Sequence, residues 1–148
     1  MKILVPTDGS KYADEALAVA ADLVKTKGGE LHLISVATAL EEFELELSAG
    51  SRENLRQEFE ARAAKIIEKA GAAAAAIGVK VVSKSEISAA SIPDAIVEYA
   101  EQEKVDLIVM GTRGLSPSSR FRMGSVASKV VRHAPCSVYV VKMKASAR

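Results

Sequence analysis

The sequence has few of the residues that build disulfide frameworks or metal clusters. Its 148 residues include one cysteine, Cys136, and two histidines, His32 and His133, which stand far apart in the chain. One thiol forms no disulfide framework and no cysteine-rich zinc site. We therefore interpret Cys136 as a small buried apolar side chain, and we expect no metal cluster built on histidine.

Long hydrophobic runs and an excess of one charge are also absent. No apolar run approaches the roughly 20 residues of a membrane span, and residues 1–5 lack the extended apolar segment of a secretory signal. We expect a cytoplasmic protein without membrane contact. The 20 basic and 19 acidic residues leave a formal charge of +1, which argues against a nucleic-acid partner. Lys142, Lys144 and Arg148 are interpreted as a solvated basic end.

The chain does have the composition and periodicity of an α/β domain. Apolar residues make up 49% and charged residues 26%, as in globular proteins. Short apolar runs, typical of buried strands, alternate with longer segments in which apolar residues recur at helical spacing. The predicted strands cover residues 3–6, 31–37, 79–87, 105–110 and 136–141. The predicted helices cover residues 10–27, 51–77 and 124–133, and one more begins at Ser91.

Five strands that alternate with helices predict a mostly parallel sheet covered on both faces. No repeat or linker divides the chain, so we expect one domain over residues 1–148. Right-handed crossovers favour an open doubly wound sheet of order 3-2-1-4-5. Such sheets bind ligands beyond the carboxyl ends of the strands where the winding reverses, here between the first and fourth strands. The acidic stretch from Glu41 to Glu46 is interpreted as a solvated face, on a mobile insertion or part of a helix.

The turn after the predicted fourth strand carries a glycine pattern that suits a phosphate. Gly111 and Gly114 are followed, after nine intervening residues, by Gly124 and Ser125 at a helix start. Glycine allows a positive φ and close approach to a ligand, and a helix start offers unpaired N–H groups and the positive end of the dipole. The same segment holds three cations, Arg113, Arg120 and Arg122. The alternative is a plain surface loop, but its place at the predicted switch point favours an anion site.

Several well-known motifs are missing. The sequence has no GxxxxGK[ST], which excludes a P-loop NTPase, and no GxGxxG after the first strand, so a dinucleotide fold of that type is not supported. It also lacks GxSxG and HExxH, and no general base stands beside the glycine loop. The chemistry indicated is therefore binding of a phosphate rather than efficient catalysis.

Separate segments of the chain, in order, resemble the universal stress protein family. The spacing of Gly111, Gly114, Gly124 and Ser125 is similar to the ATP-binding signature of that family. Residues 3–10, ILVPTDGS, resemble its first strand and turn, residues 105–111 its fourth strand, and residues 133–141 its terminal strand. The likeness covers nearly the whole chain. It implies a five-stranded parallel sheet, an ATP pocket and a homodimer.

The resemblance also implies which residues contact the nucleotide. The first turn would touch the nucleoside, the end of the second strand the adenine, the end of the fourth strand the ribose and base, and the loop and last helix the phosphates. The implied nucleotide-binding residues are Pro6, Thr7, Asp8, Val36, Met110, Gly111, Arg113, Gly114, Gly124, Ser125, Val126 and Ala127. The implied homodimer forms through the terminal strand, residues 136–141.

The chain departs from the family pattern in places, and one residue has two readings. Residues 89–91, Ala-Ala-Ser, stand where many members have a glycine, and Ser137 stands where a proline often follows the cysteine. Ala127 replaces a hydroxyl residue of some relatives, which removes one phosphate contact.

Asp8 either contacts the ribose or a Mg²⁺ or Mn²⁺ ion on the phosphates, or it caps the following helix. Its place at the switch point favours the ligand.

We expect an ATP-binding protein of regulatory or stress-response type. The alternative is a slow ATP hydrolase or phosphate-transfer enzyme that uses the same pocket. A third interpretation is a nucleotide-free dimer that acts as a binding scaffold. The intact glycine spacing argues against the scaffold, and the missing general base and P-loop lysine argue against an efficient enzyme.

Overall fold

The computed structural model describes residues 1–38, 48–113 and 123–143. Several residues named above lie outside these ranges: the segment from Glu41 to Glu46, Gly114, Arg120, Arg122, Lys144 and Arg148.

The described chain alternates strands and helices from end to end. The strands are β1 (Lys2–Pro6), β2 (Glu30–Thr38), β3 (Val81–Ala89), β4 (Leu107–Gly111) and β5 (Ser137–Val141). The helices are α1 (Lys11–Lys27), α2 (Ala49–Ala76), α3 (Ile92–Gln102) and α4 (Ser125–His133). The strands form one sheet of order β3-β2-β1-β4-β5, in which each neighbouring pair is parallel. This confirms the predicted open doubly wound sheet and the reversal of winding at β1.

Two strands begin later than their apolar runs suggest. Val79 and Val105 are buried, but each amide still donates to a carbonyl of the helix before it, to Ala74 and Ala100 respectively, at 3.0 Å. These residues therefore belong to the turns that leave α2 and α3. Burial in a turn and burial in a strand look alike in a sequence, because both require an apolar side chain.

The sheet separates two apolar layers. On one face α1 and α2 cover a core that includes Ile3, Leu31 and Val109, and on the other face α3 and α4 cover a core that includes Leu4 and Ile108. All five of these side chains are fully buried. Strands of a parallel sheet read as continuous apolar runs because both of their faces are covered.

Strand β3 contains an irregularity at Val82. Leu31 of β2 pairs with Val81, and the next residue, His32, pairs with Ser83, so Val82 is an extra residue on β3. Its side chain is 53% exposed. An extra residue shifts the alternation of the strand by one, and Ser83 therefore lies opposite His32 on the α3 face.

The single cysteine, Cys136, is half-buried at the start of β5 and packs against the core on the α3 and α4 face. Burial raises the pKa of its thiol, and the nearby Asp106 carboxylate raises it further, while a hydrogen bond from the Ile108 backbone opposes the shift. A thiol with a raised pKa holds less of the reactive thiolate at neutral pH. Cys136 is thus less deeply buried than predicted, and it behaves as a packing residue.

None of the helices in the described ranges combines the length and apolarity needed to cross a membrane.

A cap made by Ser10 starts α1. Its hydroxyl oxygen accepts a hydrogen bond from the Ala13 amide at 3.2 Å, and the Ser10 side chain is buried. The Asp8 carboxylate accepts from the Ser10 amide at 2.9 Å, and the Thr7 hydroxyl accepts from the amide of Gly9 at 3.2 Å. Gly9 has a φ of 79°, a conformation that favours glycine. These bonds hold the turn after β1 in one shape.

We expect Ser10→Ala to lower the free energy of unfolding by about 1–2 kcal/mol, because the buried Ala13 amide loses its acceptor. Urea denaturation measures this change. Ser48→Ala is the matched control, since Ser48 caps α2 in the same way but is exposed to water. A loss at Ser48 equal to that at Ser10 would contradict the importance assigned to the buried cap.

Candidate functional site

A pocket of about 430 Å³ opens at the carboxyl ends of β1, β2 and β4. Strand β1 pairs with β2 as far as Pro6, but it pairs with β4 only through Ile3 and Leu4. Beyond Leu4 the two strands part, and the pocket occupies the opening between them. This is the place that the reversal of winding predicts for a ligand.

The lining residues come from six regions of the chain. They are Pro6, Thr7 and Asp8 at the end of β1 and in the turn after it, Ala13 of α1, Ile34 and Val36 of β2, Ile92 and Ile96 of α3, Met110 to Arg113 at the end of β4, and Gly124 to Ala127 at the start of α4. Every predicted nucleotide-binding residue that lies in the described ranges is among them. Gly114, the remaining one, lies outside those ranges.

One end of the pocket is apolar. Ile34 and Val36 approach from β2, Met110 from β4, and Ile92 and Ile96 from α3. Ile34, Ile96 and Met110 also belong to the core on that face of the sheet. Aliphatic walls of this kind suit a flat ring system, which they recognise by shape and contact.

Another part of the pocket is built from the start of α4. Gly124 is the N-terminal cap and provides no side-chain hydrogen bond, and its own amide donates to the Thr112 carbonyl at 2.6 Å. The first bond within the helix runs from the amide of Ser128 to the Gly124 carbonyl. The amides of residues 125–127 therefore have no acceptor within the helix, and all three residues line the pocket. Unpaired N–H groups and the positive end of the helix dipole attract an anion.

Close contacts explain the two glycines of the described loop. A Cβ atom on Gly111 would lie 2.8 Å from the Tyr12 Cβ and 2.9 Å from the Tyr12 carbonyl oxygen of α1. A Cβ atom on Gly124 would lie 3.2 Å from the Thr112 carbonyl oxygen. Gly124 has a φ of −60°, which any residue adopts, so the expectation of a left-handed loop glycine is wrong there. The close approach of the Thr112 carbonyl, rather than an unusual backbone conformation, disfavours a side chain at this position.

Asp8 stabilises the turn before α1 and also lies at the pocket. It does not cap α1 directly, because Ser10 does so, but its Oδ1 accepts from the Ser10 amide and stabilises the turn. Its side chain also belongs to the lining of the pocket. Asp8 is the one carboxylate among the described lining residues, and Arg113 is the one cation. The described residues contain no cluster of three or more His, Cys, Asp or Glu side chains placed to hold a metal ion.

The pocket also contains residues that the sequence did not single out as site residues: Ala13, Ile34, Ile92, Ile96 and Thr112. Ile34 was detectable, since it lies two residues before Val36 on the same face of β2. Thr112 was detectable because it stands between Gly111 and Arg113, which were both predicted to bind the nucleotide. The isoleucines of α3 have the spacing of a core-facing stripe, and a helix pattern does not tell which part of such a stripe borders a cavity.

Comparison with known proteins agrees with this geometry. A model of the universal stress protein family matches residues 1–142. A universal stress protein of Methanocaldococcus jannaschii is 36% identical over 95% of this chain and 81% of its own length. The solved structure of the hypothetical protein MJ0577 is 29% identical, with a TM-score of 0.83 that covers 97% of this chain and 96% of that one.

Two more distant structures share the fold. One is a universal stress protein in complex with cAMP, at 24% identity and a TM-score of 0.66, covering 96% of both chains. The other is the universal stress protein of Archaeoglobus fulgidus in complex with dAMP, at 22% identity and a TM-score of 0.71, covering 96% of this chain and 98% of that one. On the family match and the identity to its relatives, the chain belongs to the universal stress protein family.

Proposed function

We propose that this protein binds ATP and acts as a regulatory or stress-response protein. The observation that supports this most strongly is the pocket itself, which is lined both by aliphatic side chains and by the first turn of a helix. The adenine would lie against Ile34, Val36 and Met110. The phosphates would lie against the first turn of α4, with Gly124 allowing the approach.

The turn after β1 would hold the sugar between the adenine and the phosphates. Thr7 is buried, and its amide donates to the Ile34 carbonyl at 2.9 Å, which ties the turn to β2. Asp8 has a second carboxylate oxygen besides the one bonded to Ser10, and it would meet a ribose hydroxyl. The two relatives of this fold that were solved with cAMP and dAMP carry adenine nucleotides, which supports the same class of ligand here.

A metal ion would be held mainly by the phosphates. Mg²⁺ typically takes one or two carboxylates together with phosphate oxygens and water. Asp8, with Ser125 at the start of α4, fits that donor set, and a Mg²⁺ or Mn²⁺ ion there would neutralise part of the phosphate charge.

A slow ATP hydrolase is the alternative that uses the same pocket. Among the described lining residues, Asp8 is the one whose side chain could accept a proton from an attacking water. Its carboxylate is already engaged with the Ser10 amide, and no histidine lines the pocket among the described residues. The geometry therefore favours holding the nucleotide over cleaving it. The nucleotide-free scaffold is disfavoured, because its function would not require a pocket of this size and lining.

The protein would form a homodimer through β5. This strand lies at the edge of the sheet, and Tyr139 on it is 48% exposed, while Val131 on the neighbouring α4 is 46% exposed. An apolar open edge tends to pair with another strand, and a symmetric pair would cover both copies.

A cytoplasmic location, and the absence of nucleic-acid and membrane partners, stay predictions from the sequence.

We expect Gly124→Val to weaken ATP binding a hundredfold or more. The added side chain would collide with the Thr112 carbonyl and displace two or three amide contacts to phosphate, each worth roughly 1.5–3 kcal/mol. Calorimetry measures the affinity, and ATP should no longer raise the thermal midpoint. Gly114→Val is the companion variant, since the glycine spacing pairs it with Gly124.

The matched control is Gly50→Val on α2, where a Cβ atom meets nothing within 4 Å. Its ATP affinity should equal that of the wild type. If both Gly114→Val and Gly124→Val bind ATP as the wild type does, the loop is a plain turn and the proposed phosphate site is wrong.

We expect Tyr139→Glu to give a folded monomer, because a charge on β5 would be buried against its mate in a symmetric pair. Sedimentation at micromolar concentration measures the mass. Val82→Glu places the same charge at an exposed position on the opposite edge strand, β3, and should remain a dimer. A wild-type mass of one chain would contradict the dimer.

We expect ATP turnover far below the enzyme median of about 10 per second. Phosphate release from purified protein measures it, with nucleotide affinity determined in parallel. Turnover at ordinary enzyme rates that Asp8→Asn abolishes, while binding persists, would support the hydrolase instead.

A further inference from the structure

A chain of hydrogen-bonded polar side chains, with the buried His32 at its centre, lies on the α3 face of the sheet, outside the pocket. His32 of β2 is 4% exposed, and its Nδ1 lies 3.1 Å from the Tyr99 hydroxyl of α3. Its Nε2 lies 3.1 Å from a carboxylate oxygen of Glu30. The Tyr99 hydroxyl is also 3.3 Å from the Ser83 hydroxyl of β3. One helix residue is thus bonded to two strands.

The hydrogen-bond network assigns a direction to this chain. A carboxylate oxygen accepts, so Nε2 of His32 carries a hydrogen and donates to Glu30. In the neutral ring Nδ1 is then the acceptor, and the Tyr99 hydroxyl donates to it. The Tyr99 oxygen in turn accepts from Ser83. Every member has a partner, and no described buried side-chain nitrogen or oxygen lacks one.

Tyr99 differs in kind from the other contacts that α3 makes with the sheet. Ala95, Ile96 and Ala100 are buried, and their packing is apolar and without direction. Small side chains let the helix lie close to the strands, but they do not define its rotation about its own axis. In the described residues, Tyr99 supplies the side-chain hydrogen bonds from α3 to the sheet. Directional bonds of this kind select one arrangement among several of similar packing.

The same face of α3 forms part of the pocket wall. Ile92, Ile96 and Tyr99 follow one another at intervals of four and three residues, so they share one side of the helix. Ile92 and Ile96 line the pocket, and Tyr99 does not. Ile92 and Tyr99 are about 10 Å apart along the axis at 1.5 Å per residue. Rotation of the helix at Tyr99 would therefore move both isoleucines.

We propose that Tyr99, fixed by His32, is a positioning residue for the pocket: it sets the rotation of α3 that places Ile92 and Ile96 in the apolar wall. The effect on nucleotide affinity rests on the proposed ATP site. The effect on the apolar wall does not rest on that site, because the wall is present without any ligand.

The first experiment uses the full-length protein without nucleotide and follows the Ile δ1 methyl resonances by NMR. Tyr99→Phe keeps the ring, which meets the His32 ring edge-on at 6.4 Å, and removes only the hydroxyl. We expect the Ile92 and Ile96 methyls to shift. Ile67, fully packed in the core on the other face, should not move and is the internal reference.

Two substitutions of His32 form a matched pair. The amide of Asn reaches the position of Nδ1 and can accept from Tyr99, whereas the amide of Gln reaches the position of Nε2 and can meet only Glu30. We expect His32→Gln to reproduce the methyl shifts of Tyr99→Phe and His32→Asn to leave the methyls near their wild-type positions. Ser83→Ala, on the edge strand β3, should shift the same methyls in the same direction by a smaller amount. It replaces the His32 variants in this experiment if they do not fold.

The second experiment measures ATP affinity by calorimetry. We expect Tyr99→Phe and His32→Gln to bind ATP about three- to tenfold more weakly, and His32→Asn to bind it as the wild type does. Glu98→Gly, on the exposed side of α3, loosens the helix without removing these bonds and should leave the affinity unchanged. A loss in Glu98→Gly equal to that in Tyr99→Phe would mean that only helix stability matters.

The outcomes separate the two proposals. If the wild type does not bind ATP, the proposed function fails, and the methyl shifts still decide whether Tyr99 positions the wall. If the Ile92 and Ile96 methyls stay in place in Tyr99→Phe and His32→Gln, or move equally in His32→Asn, the positioning role is wrong. The polar chain then contributes to stability alone.

Discussion

The constraint on which the rest of the structure depends is the parting of β1 and β4. Strand β1 remains paired with β2 to its last residue, but its pairing with β4 ends at Leu4. The chain leaves β1 toward β2 and enters β4 from β3, so the winding reverses between β1 and β4. The turn after β1, the end of β4 and the start of α4 all border this opening. A ligand site results from the winding of the chain before any particular side chain is considered.

The chemistry at the opening comes largely from backbone. The phosphate-attracting end consists of amides at the start of α4, brought close to β4 because Gly124 has no side chain to meet Thr112. Gly111 likewise has no side chain to meet Tyr12, which allows α1 to pass close to the end of β4. Side-chain charge is sparse among the described lining residues, which include Asp8 as the one carboxylate and Arg113 as the one cation. A lining of this kind is the basis of the proposal that the pocket holds a ligand rather than cleaves it.

The two faces of the sheet contribute differently to the pocket. The face covered by α1 and α2 is an apolar core, from Ile3 to Val109. The face covered by α3 includes both the aliphatic wall and the polar chain through His32 and Tyr99. The bulge at Val82 adds Ser83 to that chain, since it turns this residue toward α3. Under the positioning role proposed for Tyr99, an irregularity on an edge strand would bear on the shape of the pocket.

The sequence by itself determined the element types, the strand order and nearly all of the polar and glycine residues of the pocket. It did so because buried parallel strands, amphipathic helices and a helix start after a glycine each leave a local pattern. The family resemblance added Val36, for which it implies a contact with adenine, through motifs contiguous in the chain.

Only the tertiary structure decided which apolar residues border the ligand, why Gly124 is glycine, and that His32 meets Tyr99. Val79 and Val105 were assigned to strands because burial in a turn requires the same residue type as burial in a sheet. Ile92 and Ile96 have the spacing of any core-facing stripe, and the contact between His32 and Tyr99 joins residues 67 positions apart. These features depend on the distance and rotation between packed elements. A sequence read one segment at a time encodes neither.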